Sequence, residues 1–227
     1  MGMLKKLAGT LLIPLTRWYL RKERSVSYDQ IRITVLPGVF HPGLFSSTRF
    51  LLQHLKSIEL QNKHVLELGC GTGLISIFCF MKGSSVVASD ISKRAVENVT
   101  LNARRNHADI NIIHSDLFQN IPRQSFDLII INPPYYNVAA RNEKELAWNC
   151  GPQFEYFQNL FPQLSGHIHE DTQILMVLTK ACDIDSIRVI ATKNNFNMEV
   201  VREKSVRFDD KDFIFQIAST ELSHAKF

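Results

Sequence analysis

The 227-residue sequence contains no apolar run that approaches 18 residues, so we predict no transmembrane helix. Its four cysteines form no C-x-x-C pair, and we interpret them as reduced thiols of a cytoplasmic protein. There is no internal repeat, and the eight histidines show no spacing typical of a metal site. We expect His167 and His169 on the surface. These absences argue against a membrane protein, a disulfide scaffold, a solenoid and a metalloenzyme.

Charge is distributed unevenly along the chain. Residues 1–24 carry six basic side chains and one acidic side chain, whereas the remaining 203 residues carry 20 basic and 21 acidic side chains. The overall charge of +4 therefore belongs to an N-terminal arm, and the main body is neutral. The composition, 45% hydrophobic and 21% charged, is typical of one large globular domain or of one domain with an extension.

The arm carries an apolar stripe at helical spacing. The stripe consists of Leu4, Leu7, Leu11, Leu15 and Trp18. Pro14 interrupts it, and bulky residues stand where a secretion signal would have its cleavage site, so we do not expect export. Three roles stay open for the arm: packing on the main domain, contacting nucleic acid, or lying on a membrane surface. Alternation over 26–40 predicts a strand or hairpin, which gives an arm at 1–40 and a main domain at 41–227.

Short apolar runs alternate with helical stretches from residue 64 onward. The predicted strands cover 64–69, 85–90, 110–115, 126–132, 172–179, 197–204 and 212–219. The predicted helices cover 48–58, 73–82, 92–106, 154–164 and 183–195. This alternation predicts an α/β fold with a seven-stranded, mostly parallel sheet covered by helices on both faces. Because no helix separates the final two strands, we predict that the last strand is antiparallel.

A glycine-rich turn directly follows the first of these strands and opens a helix. It reads Glu67-Leu-Gly69-Cys-Gly71-Thr-Gly73. Glycines let the backbone turn sharply and approach a ligand closely. A dinucleotide site would have G-x-G-x-x-G, whereas the acid before this G-x-G-x-G points to a cationic group on the ligand.

This turn resembles the first motif of class I S-adenosylmethionine-dependent methyltransferases, which have a Rossmann-like fold. The resemblance implies that Glu67 and the three glycines lie beside the methionine part of the cofactor, which carries an ammonium. It also implies S-adenosylhomocysteine as the product derived from the cofactor.

Two further acids follow the next two strands. Asp90 can accept both hydroxyls of a ribose, or it can cap the helix that begins after Ile91. Asp116 matches the family's acid that meets the adenine amine, and the resemblance places Leu117 and Phe118 beside the adenine ring. Open α/β sheets bind ligands at the carboxyl ends of their strands, where these acids lie. The predicted cofactor-binding residues are Glu67, Gly69, Gly71, Gly73, Asp90, Ile91, Asp116, Leu117, Asn132 and Thr48.

The strand at 126–132 ends in Asn132-Pro133-Pro134-Tyr135, four residues that we predict to be catalytic. Two prolines cannot continue a ladder, so they form a rigid shelf at the sheet edge. The Asn132 side-chain oxygen and the Pro133 carbonyl offer two acceptors, which match the two donors of a planar –NH2 group. Tyr135 offers an aromatic face to the planar group that bears this nitrogen. Such a site needs proximity and orientation more than a dedicated base.

The tetrapeptide resembles that of amino-methyltransferases. These include HemK-type glutamine methyltransferases of release factors, ribosomal RNA amine methyltransferases and DNA adenine methyltransferases. The resemblance implies methyl transfer to a protein glutamine or to a nucleic-acid base amine, with a protein (release factor or ribosomal protein) or RNA as the partner. A small-molecule amine methyltransferase and a catalytically silent, cofactor-binding scaffold are the alternatives.

The segment 36–48 is similar to one that closes over the cofactor in the HemK and ribosomal RNA families and ends in Thr48. Ser47 stands where those families usually have an acid. From the sequence we expect neither the helical domain of the HemK type nor the second half of the ribosomal RNA enzymes. Target recognition is therefore expected from the arm, from residues 136–152 or from a partner. Residues 136–152 either line the target cleft or form a solvated surface segment.

Overall fold

A computed structural model describes residues 21–142, 145–206 and 210–223. The apolar stripe predicted for the arm lies outside these residues. Within the described ranges, no helix has the length and hydropathy that crossing a bilayer requires.

The strands form two sheets. An antiparallel hairpin pairs β1 (Arg24–Tyr28) with β2 (Ile31–Val35). The large sheet contains β3 (His64–Leu68), β4 (Ser85–Asp90), β5 (Asn111–His114), β6 (Leu128–Ile131), β7 (Gln173–Thr179), β8 (Phe196–Val206) and β9 (Asp210–Ser219), in the order β5-β4-β3-β6-β7-β9-β8. The first five are mutually parallel, and β9 is antiparallel to both of its neighbours. The predicted Rossmann-like sheet and its antiparallel last strand are confirmed.

Helices cover both faces of the large sheet. They are α1 (Ser46–Leu55), α2 (Leu74–Met81), α3 (Lys93–Arg105), α4 (Glu155–Leu164), α5 (Ile184–Lys193) and the short α6 (Thr220–Ser223), with a 3₁₀ turn at Ser165–His167. Alternate strand residues divide between two cores, because successive side chains of a strand point to opposite faces. One core packs the hairpin, α1 and α2 against one face, and the other packs α4 and α5 against the opposite face.

Two buried asparagines of α3 fasten the hairpin to the main sheet. Asn102 accepts from the Thr34 backbone N–H at 2.8 Å, and the Asn98 amide donates to the Thr34 carbonyl at 2.7 Å. The Asn102 amide also donates to the Thr72 carbonyl in the glycine-rich turn at 2.9 Å. The hairpin, α3 and the turn are therefore one hydrogen-bonded unit.

One expectation about the surface is wrong. His167 is only 5% exposed, and its ring stacks on that of Phe118 with centroids 4.5 Å apart. Its Nδ1 lies 3.2 Å from the Gln124 carbonyl oxygen. The 3₁₀ turn after α4 carries the ring inward, which a histidine in a predicted loop does not reveal.

Candidate active site

A cavity of about 470 Å³ opens at the carboxyl edge of the parallel strands. Its lining brings together nearly all of the predicted site residues: Thr48, Glu67, Gly69, Gly71, Asp90, Ile91, Asp116, Leu117, Asn132, Pro133, Pro134 and Tyr135. Of the predicted site residues, Gly73 does not line the cavity. Strand topology explains why these residues lie together. The strands β3, β4, β5 and β6 are parallel neighbours, so their carboxyl ends lie at one edge of the sheet.

The glycines of the turn serve two different purposes. All three have left-handed φ values, 72° at Gly69, 53° at Gly71 and 77° at Gly73, which favour glycine. A Cβ added to Gly69 would meet no atom within 4 Å, so its backbone faces open cavity. A Cβ added to Gly73 would overlap Cγ2 of Val99 on α3. Gly69 thus leaves room for a ligand, whereas Gly73 lets two helices pack closely.

Glu67 is a buried carboxylate at the start of α2. Its Oε2 accepts from the Ser76 backbone N–H at 2.8 Å and from the Ser76 hydroxyl. The N-cap residue Gly73 has no side chain to perform this task, so Glu67 supplies the missing acceptor from β3. Burial raises the pKa of Glu67 to about 8, although the Ser76 hydrogen bonds oppose the shift.

Asp90 ties the glycine-rich turn to the end of β4. Its Oδ2 accepts from the Gly71 N–H and its Oδ1 from the Ser92 N–H, each at 2.9 Å. The N-cap of α3 is Ser92, whose hydroxyl accepts from the Ala95 N–H at 3.4 Å. The reading of Asp90 as the helix cap is therefore wrong, and its carboxylate lies on the cavity wall.

A tight turn after β5 holds Asp116 and Leu117. Leu117 has φ of 48°, an unusual conformation for a leucine, and its carbonyl accepts from the Ser115 hydroxyl at 2.9 Å. Asp116 is exposed at the mouth of the cavity. The left-handed residue redirects the chain, so Phe118 enters the core and stacks on His167. The placement of Phe118 beside the adenine is wrong for this reason.

The shelf after β6 has its own hydrogen-bond network. The Tyr135 hydroxyl donates to Oδ1 of Asn132, and Nδ2 of Asn132 donates to the Ser47 hydroxyl at 3.4 Å. Pro133 and Pro134 are buried, whereas Asn132 and Tyr135 are half-buried. Burial raises the pKa of the Tyr135 hydroxyl, so this group is a proton donor at neutral pH.

The segment that follows the shelf folds back along it. The Trp148 carbonyl accepts from the backbone N–H groups of Tyr135 at 2.9 Å and Tyr136 at 2.8 Å. The Trp148 ring packs on Phe40 and Phe45, with centroids 5.1 and 4.8 Å away. This aromatic cluster joins the segment to the one that precedes α1. The described part of this segment contributes the apolar residues Ala139, Ala140, Leu146 and Ala147 to the cavity wall.

Sequence reasoning missed the contribution of α4. Its first two turns place Glu155, Tyr156 and Asn159 on the cavity wall. Polar residues at a spacing of four beside an apolar stripe were the available signal. The acidic lining residues are Glu67, Asp90, Asp116 and Glu155, and no lysine, arginine or histidine is among the described lining residues. In the same described ranges, no three His, Cys, Asp or Glu side chains are grouped to hold a metal ion.

The family model for the methyltransferase small domain matches residues 30–184, which include the cavity-lining residues from Gly38 to Asn159. The chain belongs to this family. The family is one of S-adenosylmethionine-dependent methyltransferases, which confirms the predicted class and cofactor at the level of the family.

Relatives within this class differ in the acceptor that they methylate. A Methanocaldococcus jannaschii protein assigned as a protein N5-glutamine methyltransferase is 40% identical over 111 residues, 48% of this chain and 54% of that protein. The chain spans about half the length of the curated relatives it matches.

Solved structures show the same fold at low sequence identity. A T. thermophilus 16S rRNA N2 methyltransferase in complex with AdoMet and guanosine is 18% identical with a TM-score of 0.62, covering 86% of this chain and 50% of that one. The Mtq2–Trm112 complex of E. cuniculi, which methylates the termination factor eRF1, is 19% identical with a TM-score of 0.60. That match covers 80% of this chain and 99% of that chain.

Proposed function

We propose that this chain is an S-adenosylmethionine-dependent N-methyltransferase whose acceptor is the side-chain amide of a protein glutamine. The observation that carries the proposal is one cavity that joins the acidic, glycine-rich edge of the sheet to the Asn132–Tyr135 shelf. The first part suits a cationic nucleoside cofactor, and the second suits a planar –NH2 group.

The residues present fit the cofactor. A volume of about 470 Å³ lies in the usual range for small-molecule sites. The open backbone at Gly69 gives a ligand close access, and Glu67 offers a carboxylate to an ammonium. Asp90 would bind the ribose hydroxyls, and Asp116 with Ile91 and Leu117 would hold the adenine. The bound cofactor supplies a methyl group on a sulfonium, which is its own leaving group.

The shelf would orient the acceptor nitrogen. Asn132 Oδ1 and the Pro133 carbonyl accept its two hydrogens, which leaves the nitrogen lone pair directed toward the methyl carbon. An amide nitrogen is a poor nucleophile because its lone pair is delocalised, so hydrogen bonds that favour a pyramidal nitrogen assist the transfer. The N–H proton is released after transfer, and no base is required to remove it beforehand.

Charge favours an amide over a nucleic-acid base as the acceptor. The described cavity wall carries four acidic side chains and no cationic side chain. A nucleic-acid strand brings a phosphate with every base and is normally bound through lysine and arginine. A glutamine side chain is neutral and brings no phosphate. The protein N5-glutamine assignment of the M. jannaschii relative supports the same acceptor class.

A labelled-methyl assay tests the proposal. Purified protein would be incubated with labelled S-adenosylmethionine and, separately, with release factors, ribosomal proteins, ribosomal RNA and a small-molecule fraction. We expect label in a protein fraction, on glutamine after hydrolysis. Label in RNA would assign the base-amine alternative and overturn the glutamine acceptor. No label in any fraction, with the cofactor still bound in calorimetry, would identify a silent scaffold.

Asp90 provides a check on the cofactor part alone. Asp90→Ala removes the proposed ribose acceptor and the partner of the Gly71 N–H, so cofactor binding should weaken by about tenfold to a hundredfold. Asp90→Asn keeps an acceptor oxygen and should lose less affinity. Equal affinities for the wild-type protein and Asp90→Ala would contradict the ribose assignment.

A further inference from the structure

Hydroxyl groups hold both ends of the Asn132 side-chain amide. The Tyr135 hydroxyl donates to Oδ1, and Nδ2 donates to the Ser47 hydroxyl at 3.4 Å. Ser47, Asn132 and Tyr135 therefore form one continuous chain of hydrogen bonds. A carbonyl oxygen has two lone pairs, so Oδ1 can accept a second N–H while it keeps the Tyr135 bond. The network orients this acceptor and leaves it available.

The direction of this amide decides what the shelf can bind. The two ends of a carboxamide have nearly the same shape, and a half-turn would replace the acceptor oxygen with an –NH2 donor. A donor at that position cannot receive a hydrogen from the target nitrogen. Burial raises the pKa of the Tyr135 hydroxyl, which remains protonated and donates to Oδ1 of Asn132.

Ser47 owes its position to the first turn of α1. It is 3% exposed and lies behind the cavity wall, while the next residue, Thr48, lines the cavity. The N-cap residue Phe45 makes no side-chain cap hydrogen bond, and the first turn contains no acidic residue. Helix starts usually depend on such groups, so α1 needs an anchor from another element.

Asp212 of β9 is that anchor. Its Oδ2 accepts a hydrogen bond from the hydroxyl of Ser46, the first residue of α1, and Asp212 is only 3% exposed. Asp212 pairs with Thr179 at the end of β7, which places it at the same sheet edge as the shelf. A carboxylate beside a helix N-terminus interacts favourably with the exposed N–H groups there. Asp212 lies outside residues 30–184, so this anchor comes from beyond the matched domain.

We propose that Asp212 and Ser47 are positioning residues that set the direction of the Asn132 amide. Asp212 holds the start of α1, and Ser47 on that turn holds the amide with its oxygen toward the target. The inference rests on the proposed function of Asn132.

Kinetics of matched variants test the inference. Ser47→Ala should lower kcat about tenfold, the effect of one lost amide hydrogen bond, with the cofactor Kd within about twofold of wild type. Ser57→Ala is the control, because its hydroxyl donates to the His54 carbonyl at the other end of α1. Asp212→Ala should lower kcat in the same way, and Asp212→Asn, which keeps an acceptor for Ser46, should lower it less.

The double variant shows whether Ser47 and Asp212 act on the same amide or have independent effects on kcat. Because both residues act on one amide, Ser47→Ala with Asp212→Ala should cost little more than the larger single effect. Should Asp212→Ala fail to fold, as thermal unfolding would report, Ser46→Ala removes the same hydrogen bond. An unchanged kcat in Ser47→Ala would overturn the inference. So would a parallel loss of cofactor affinity, because it would indicate a general disturbance of the cavity.

Nuclear magnetic resonance gives a readout that needs no acceptor. The Asn132 side-chain ¹⁵N–H pair is identified by its loss in Asn132→Ala. In Ser47→Ala the pair should shift and exchange faster with solvent, whereas Ser57→Ala should leave it unchanged. Absence of this response would refute the positioning role even if methyl transfer is observed. A clear response without any methyl transfer would instead refute the proposed function and support the orientation of the amide.

Discussion

The two halves of the cavity are assembled differently. In the half that we propose to bind the cofactor (the cofactor half), Glu67 contacts Ser76 nine positions away and Asp90 contacts Gly71 nineteen positions away. In the half that we propose to bind the acceptor (the target half), Asn132 contacts Ser47 across 85 positions, and Ser46 contacts Asp212 across 166. The first half is a set of turns that each follow one strand. The second half exists only when distant elements meet, so single substitutions should separate the two.

The largest effect should come from Asn132→Ala, which removes the side-chain acceptor of the target half. We expect methyl transfer to fall by at least about a hundredfold, the usual cost of deleting one preorganised polar group at a reacting centre. Cofactor affinity in calorimetry should change little, because the four carboxylates and the glycine turn remain. Asn194→Ala is a control, since that side chain donates to the Ile190 carbonyl at the end of α5. Activity equal to wild type would refute the role of the shelf.

Two glycines in one turn should respond in opposite ways. Gly73→Ala would overlap Val99 and strain a left-handed residue, so the free energy of unfolding should fall by roughly 1–3 kcal/mol. In a Val99→Ala background the same substitution should cost less. Gly69→Ala also strains a left-handed residue, but its Cβ meets no neighbouring atom. It narrows the cavity, so it should destabilise the fold less than Gly73→Ala does and weaken cofactor binding more. Urea denaturation measures the loss of stability, and calorimetry measures the loss of cofactor affinity. If Gly69→Ala and Gly73→Ala lose stability and affinity to the same extent, the two glycines do not have different roles.

The cofactor half should also show a pH dependence that originates at Glu67. Burial raises its pKa from 4.5 to about 8, so the folded protein binds this proton more tightly than the unfolded chain. The free energy of unfolding should therefore fall as the pH rises from about 4.5 to about 8. Glu67→Gln is neutral at every pH and should flatten that slope.

Binding of a cationic cofactor should release the proton of the Glu67 carboxyl. An ammonium favours the ionised carboxylate, so complex formation at pH 7 should release protons in the wild type and none from this site in Glu67→Gln. Calorimetry in two buffers of different ionisation enthalpy measures the release. Identical proton release in both proteins would place the titrating group elsewhere.

The smallest effect should come from Leu117→Gly. Glycine relieves the left-handed backbone, while the half-buried leucine side chain loses its contacts with the core. These changes oppose each other, so the free energy of unfolding should change by less than about 1 kcal/mol. Cofactor affinity should fall a few-fold if this side chain borders the adenine. A large loss of stability would show that the packing of Leu117 outweighs its backbone strain.

The gathering of the predicted cofactor-binding residues at one cavity could be anticipated from the sequence because their signals are local. A glycine pattern after an apolar strand, or an acid at a strand end, predicts both the element and its place at the sheet edge. The same reasoning misplaced Phe118, since nothing in the sequence shows that Leu117 adopts a left-handed conformation and sends the next ring into the core. It likewise missed the burial of His167, which follows from a 3₁₀ turn.

The target half could be predicted only in part. Four consecutive residues, Asn132–Tyr135, predict the shelf. Ser47 is recognisable only because related families usually have an acid at this position. The contact of Ser46 with Asp212 depends on the strand order β7-β9-β8, which local periodicity does not specify. An acid near the start of a strand is also easily interpreted as a solvent-facing residue, whereas Asp212 is 3% exposed.

The insertion of β9 between β7 and β8 affects the order in which parts of the sheet can form during translation. Chains leave the ribosome from the N-terminus, so β3, β4 and β6 are available long before β9 is made. β8 contacts the sheet only through β9, and Ser46 reaches its partner only after residue 212 has been added. A nascent chain can therefore complete its glycine-rich turn early, whereas the proposed alignment of Asn132 must wait until β9 has followed the parallel strands out of the ribosome.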